Sequence, residues 1–382
     1  MSQTVKLLLK TLGLTAGAAA LYHLVYQHRF PLISEPQKET LLTESIAPLS
    51  YLNITEKMDW VQESDYEASM NQYVIPFIQE HLTESTLLQD DYTLHYHLYR
   101  LKRPIATAVL VHGFNEYKEK FQEFIYYLLQ HHIQVLVYDA RGHGFSKISP
   151  QQSQIDAHDF MAYVDDLHAL IEQVVEPILG EGKLLLFGHS MGGAVVTGYS
   201  QKYPKVADGI ILNAPMFLID TGKYPQSFTY LYASLMTQLG YSTLYIPTTE
   251  AYQPKLHAEH NPEDSISGSN VRDAYYHRMN VEIHQVPTRG GSLGWLRAAF
   301  QTMHQVLDSK KLEKITQPVL LIRAGKDTVV QSAGIYTAGR YLPNVDRVLM
   351  PDSKHQTYLD RDSVIQPYFT KIIEFIQEIV KK

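Results

Sequence analysis

The chain has 382 residues, 45% of them hydrophobic, which is enough for one large domain with an insertion or for two modest domains. Its 33 basic and 40 acidic residues leave a formal charge of −7 with no long basic run, so the electrostatic footprint of a nucleic-acid partner is absent. There is no cysteine, which removes disulfides, thiolate metal sites and cysteine nucleophiles, and leaves any catalysis to other groups.

Residues 1–30 stand apart. Lys6 and Lys10 precede an uncharged stretch over residues 11–26, rich in Leu, Ala and Gly, that ends before His28 and Arg29. It reads as an uncleaved membrane anchor, although the uncharged part falls short of the ~20 residues that span hydrocarbon unless Lys10 snorkels. The rivals are a signal peptide, with small residues Ala16, Ala18 and Ala20 near a cleavage site, and an amphipathic helix packed on the domain. An anchor with lysines on its amino side would keep the tail in the cytoplasm and export the domain, making the protein membrane-associated; the alternative is a cytoplasmic protein. Residues 31–91 read as a lead-in with a helix around 66–81 and a first strand.

From Tyr92 onward short apolar runs alternate with helical patterns, the mark of a mostly parallel sheet flanked by crossover helices. Strands are predicted over 93–101, 106–111, 134–138, 183–187, 209–212, 318–322 and 347–350, and the continuous apolar runs among them imply burial on both faces. Helices are predicted over 118–130, 157–175, 191–202 and 332–341. A last helix follows Pro367 and sets Phe369, Ile372, Ile373, Ile376 and Val380 on one stripe. The rhythm breaks once. Nearly a hundred residues lie between Pro215 and about Lys311, where two sheet strands ordinarily stand one short crossover apart, so 92–215 and 311–382 read as the α/β core and 216–310 as an inserted, mainly helical cap. The insertion carries Phe217, Tyr224, Phe228, Tyr230, Tyr232, Tyr241, Tyr245 and Trp295, and a polar loop over 253–270 that reads as a flexible tip; most of these aromatics are expected to pack the cap on itself.

Gly188-His189-Ser190-Met191-Gly192 follows the apolar strand and opens a helical stretch. This is the pattern of a nucleophile elbow, in which flanking glycines are needed because a side chain at either position would strike the neighbouring strand or helix. A serine hydroxyl is a weak nucleophile at neutral pH, so it needs a histidine to take its proton and a carboxylate to hold that histidine. In the elbow's fold the acid and then the base follow on loops after later strands. Asp327, in the turn Gly325-Lys326-Asp327 after the strand at 318–322, answers the first demand, and His355, on the loop after the strand at 347–350, answers the second. His189 and His143 sit beside or before the elbow. His257 and His260, with Glu259, lie in the polar cap loop without a completed ligand set, so no metal site is assigned. Asp352 is too near His355 along its loop, and the strand ending at Leu212 delivers Asn213 and no carboxylate. Charge developing on the attacked carbonyl oxygen needs donors, and the backbone N–H groups of Phe114 and Met191 are the candidate pair, with His112 as a structural brace.

His112-Gly113-Phe114-Asn115-Glu116-Tyr117, Asp139-Ala140-Arg141-Gly142-His143-Gly144-Phe145-Ser146, the elbow with Gly193, and Gly325-Lys326-Asp327 occur in this order. In combination they resemble the lysophospholipase and monoacylglycerol lipase branch of the α/β-hydrolases, from about Trp60 to the C-terminus and most weakly in the cap. The resemblance implies an α/β-hydrolase fold and cofactor-free hydrolysis of single-chain acyl glycerides or lysophospholipids, with a small lipid ester as the only partner. It also implies that Arg141 supports the site as scaffold, and the stretch Gly290-Gly291-Ser292-Leu293-Gly294-Trp295 implies Trp295 near the substrate entrance. The same residue types on the same fold also serve general short-chain esterases and peptidases, and a binding module that has lost catalysis would usually lack one of the three side chains that this chain keeps.

Overall fold

The structure is a computed structural model and describes residues 45–46 and 59–382, so the expected anchor lies outside the described residues. Nine strands form one sheet: β1 (Ser45–Ile46), β2 (Leu82–Gln89), β3 (Tyr92–Tyr99), β4 (Ala106–Val111), β5 (Ile133–Tyr138), β6 (Lys183–His189), β7 (Gly209–Asn213), β8 (Val319–Ala324) and β9 (Val345–Met350), in the order β1-β9-β8-β7-β6-β4-β5-β3-β2. From β1 to β5 every pair is parallel, whereas β3 runs antiparallel to β5 and β2 antiparallel to β3. The apolar runs are continuous because both faces are covered. In β6, Leu184 and Leu186 join the core on one face while Leu185 and Phe187 join that on the other, the period of two that a strand imposes.

β2 is exposed along most of its length, and an edge strand that buries neither face carries no apolar alternation to announce it. A helical run over residues 66–79, here α1, packs beside α2 (Gln122–Gln130). The helices α3 (Met161–Leu170), α4 (Met191–Lys202), α8 (Ser332–Tyr341) and α9 (Asp362–Val380) complete the two covering layers. α9 begins before Pro367 and contains it. The start lies instead at Asp362, whose carboxylate accepts from Glu63 N–H at 3.0 Å and pairs with Arg272 at 2.9 Å; these contacts hold the first turn despite the donor Pro367 lacks.

Between β7 and β8 lie α5 (Gln226–Gln238), α6 (Asn270–Ile283) and α7 (Leu293–Val306). α7 packs on α4 and α5, whereas α6 reaches the opposite core cluster through Tyr275 and Tyr276. Its Arg272, fully buried, donates to both oxygens of Glu123 on α2 at 2.9 and 3.1 Å. The polar segment 253–270 is not the free tip expected of it. The loop after β9 fastens it: Gln356 N–H donates to Ile266 O at 3.1 Å, Lys354 Nζ to Ser265 O at 3.0 Å, and Ser267 Oγ to Leu359 O at 2.6 Å. Among the described residues no helix is long and apolar enough to cross a membrane.

Candidate active site

Ser190 sits between β6 and α4 with φ 52° and ψ −116°, a conformation that a non-glycine residue adopts only when its surroundings enforce it. A Cβ on Gly188 would fall 2.4 Å from Gly192 O, and one on Gly192 would fall 2.1 Å from Val111 O, so both glycines are set by space. Val111 pairs with Gly188 in the sheet, which brings the loop after β4 beside the elbow. That loop carries Phe114. Among the described residues the N–H groups of Phe114 and Met191 donate to no protein acceptor, leaving both available to an oxyanion.

β8 and β9 are neighbours, and their loops are joined at the same end of the sheet. Gly325 N–H donates to Met350 O and Lys326 N–H to Ser353 O, both at 2.8 Å. His355 Nδ1 lies 2.8 Å from Asp327 Oδ2. Burial pushes the Asp327 carboxyl up, but the hydrogen bond and charge of His355, with the N–H groups of Val330 and Val329, outweigh it and hold the carboxyl below its ordinary value. Asp327 is therefore an ionised acceptor at neutral pH, to which Nδ1–H of His355 donates, and Nε2 is the ring nitrogen outside that bond. Ser190 and His355 line one cavity of about 400 Å³, roofed by residues of the insertion including Leu256, His260 and Arg289. No side chain among the described residues holds the Ser190 hydroxyl by a hydrogen bond, as is common before a substrate closes the contact. A larger cleft of about 920 Å³, between α1, the β2–β3 hairpin and α6, contains none of Ser190, Asp327 and His355.

The rival groups are occupied elsewhere. His189 Nδ1 accepts from Asn213 Nδ2 at 2.9 Å, and burial pushes its pKa down to about 3. His112 accepts from Ala140 N–H through Nε2 at 2.9 Å and donates from Nδ1 to Gly113 O at 2.7 Å, a neutral brace for the loop after β4. His143 is buried and bonded to Arg141 O. Arg141 donates from Nε to Asp166 at 2.7 Å and lies over the Tyr92 ring, which is a scaffold's role. Asp352 is turned to solvent on Lys326. His257 pairs with Glu250 at 3.2 Å and His260 with Asp273 at 2.9 Å, and no cluster suited to a metal ion occurs among the described residues. Trp295 does not reach the cavity. It is buried behind Phe114, ring centroids 4.1 Å apart, and its backbone N–H donates to Ser292 Oγ at the start of α7.

Sequence reasoning gave no role to Glu116, whose carboxylate is buried between the two sides of the site. It accepts from Gly113 N–H at 2.6 Å on the loop after β4, and from Gln356 Nε2 at 2.7 Å and Tyr358 OH at 2.5 Å just beyond His355. Burial would raise its pKa, but His189, Lys120 and the Tyr358 hydroxyl hold it well below the ordinary carboxylate range. The signal available was its place three residues after Gly113 in a tight turn closed by Glu116 N–H on Gly113 O.

A family model described as serine aminopeptidase, S33, matches residues 102–362. The chain belongs to this Hydrolase_4 family of α/β-hydrolases. Among relatives of this Hydrolase_4 chain, a probable lysophospholipase L2 of Haemophilus influenzae is 26% identical over 306 residues, covering 79% of the chain and 94% of the relative. A monoacylglycerol lipase of Mycolicibacterium smegmatis is 24% identical over 257 residues, covering 67% and 80%. A soluble variant of the monoglyceride lipase of Saccharomyces cerevisiae, solved with a substrate analog, shares the fold with a TM-score of 0.62 at 17% identity, covering 78% of this chain and 95% of that one.

Proposed function

We propose that the chain hydrolyses carboxylic esters of single fatty acyl chains, monoacylglycerols and lysophospholipids, through an acyl-enzyme on Ser190. The observation that carries this reading is the Asp327–His355 hydrogen bond at the wall of the cavity that Ser190 opens into from its elbow. In this reading His355 Nε2 takes the Ser190 proton as Oγ attacks the carbonyl carbon, and ionised Asp327 stabilises the imidazolium. The amides of Phe114 and Met191 receive the oxyanion. His355 then gives the proton to the departing alcohol, and water enters by the same route to release the fatty acid. The names of the relatives support the ester substrate. Support for a lipid comes from α5, where Phe228, Leu231 and Leu235, followed by Leu239, form an exposed apolar stripe at helical spacing. The insertion, residues 216–310, serves as the cap, and residues 1–30 anchor the chain at a membrane. Trp295 acts through Phe114, by fixing the ring beside the oxyanion amide.

The test is hydrolysis by the purified chain of esters of one head group with acyl chains from acetyl to long. Apolar burial is worth roughly 0.8 kcal/mol per methylene, so kcat/KM rises steeply with chain length if the chain is enclosed. The polar wall of the cavity favours a second reading, a short-chain esterase, for which the dependence is flat.

A further inference from the structure

We propose that Arg289 reads a phosphate in the leaving group and makes the site discriminate lysophospholipids from monoacylglycerols of the same chain; this rests on the ester-hydrolase reading above. Two cations line the catalytic cavity, Lys120 and Arg289. Lys120 is nearly buried and committed to Glu116 at 3.5 Å. The histidines on the same wall are engaged as well, His257 by Glu250 and His260 by Asp273. Arg289 is exposed at the cavity and makes no ion pair among the described residues. A full positive charge thus lines the same cavity as Ser190 with no carboxylate at ion-pair distance among the described residues, the nearby Glu116 and Asp273 being held by Lys120 and His260.

The backbone that carries this charge is fixed with respect to the reacting centre. Arg289 N–H donates to Ser153 O at 2.8 Å, and Arg289 O accepts from Ser153 Oγ at 3.3 Å. Gly290, at φ +68°, turns the chain so that its carbonyl accepts from Ile155 N–H at 2.9 Å. Gly291 then lies flat against Phe114, where an added Cβ would come 2.9 Å from the ring. Arg289 is therefore two residues from the contact that seats Phe114, whose amide is the proposed oxyanion donor. With the ester carbonyl at that amide, the phosphate of a lysophospholipid is carried one glycerol further along the leaving group, in the cavity that Arg289 also lines.

The chemistry of the side chain selects the anion. A guanidinium presents two parallel N–H donors that match two oxygens of a phosphodiester. The hydroxyls of a monoacylglycerol offer no charge to pair with it. Glu259, on the same wall and also without an ion pair among the described residues, suits the ammonium of a zwitterionic head group.

The experiment measures kcat/KM of the purified full chain, below the concentrations at which substrates aggregate, on a 1-acyl glycerophosphoethanolamine, on the monoacylglycerol of the same acid, and on its 4-nitrophenyl ester. In wild type the phosphate-bearing ester is favoured, and added salt narrows the preference. In Arg289→Gln the ratio of phosphate-bearing to neutral ester falls by about tenfold to a hundredfold, the range of a charge-assisted hydrogen bond, and Arg289→Lys restores part of it. An unchanged ratio in Arg289→Gln, or a wild type that cleaves the two neutral esters and spares the phosphate-bearing one, overturns the assignment of Arg289 while the ester-hydrolase reading stands. Cleavage of none of the three overturns that reading, and this one with it.

Discussion

At the scale of single residues, Glu116 shows how the site is held. Its two oxygens take hydrogen bonds from the loop bearing Phe114 and from the two residues that follow His355 closely, so one buried carboxylate sets the distance between the proposed oxyanion amides and the base. Replacing it by Gln keeps the shape but turns one acceptor into a donor facing donors. We expect Glu116→Gln to lower stability at pH 7 by about 1–3 kcal/mol, the cost of leaving buried partners unsatisfied, read from urea unfolding. The pH dependence has a definite sign. The folded pKa of Glu116 is below its unfolded value, so its contribution is complete above the ordinary carboxylate pKa of 4.5 and is lost as pH falls through the depressed folded value. Wild type should therefore lose its advantage over the variant in acid, and a gap that is constant from pH 7 to pH 3 would contradict the assignment. The partnership of Glu116 was not legible in the sequence because its donors lie 240 and 242 positions away. The places of Ser190, Asp327 and His355 after strands of the sheet were legible because each of those strands is announced by its apolar run.

At the scale of elements, what the sequence made visible follows from burial. β4 to β8 read as continuous apolar runs because helices cover both their faces, and their predicted limits lie within two residues of those observed. β2 and α6 were expected only as a strand somewhere in the lead-in and a helix somewhere in the insertion, with no limits. β2 is an exposed edge, and the buried face of α6 is built from Arg272, Tyr275 and Tyr276, so its inward positions are charged or aromatic and no aliphatic stripe marks the helix. Of the insertion's contacts with the core, the one that meets the loop carrying the proposed oxyanion amide is the Phe114–Trp295 stack at the start of α7. Trp295→Ala should cost about 3–5 kcal/mol in stability, as for a large aromatic removed from a packed site. It should also lower kcat more than it raises KM, because the amide beside the released Phe114 ring would meet the oxyanion less well. A variant that loses stability but retains wild-type kcat would reduce Trp295 to packing alone.

For the whole molecule, the sheet brings four separated chain segments to one end. The elbow at 188–192, the loop at 112–116, the turn at 325–327 and the loop at 351–356 all follow parallel strands, and the insertion from β7 to β8 roofs the cavity they enclose. The N-terminal segment belongs to this scale too. If residues 1–30 anchor the chain, the full chain should sediment with membranes and a chain starting at Pro31 should not; equal partition of both forms would remove the anchor. The account's central claim is that Ser190 becomes acylated under the control of Asp327 and His355. Its most direct measurement is labelling of the full chain with a fluorophosphonate, mapped by peptide mass. The account predicts one modified residue, Ser190, with no labelling in Ser190→Ala and labelling slowed by orders of magnitude in Asp327→Asn and His355→Ala. Labelling that persists in Ser190→Ala, or that proceeds at the wild-type rate without His355, would contradict it.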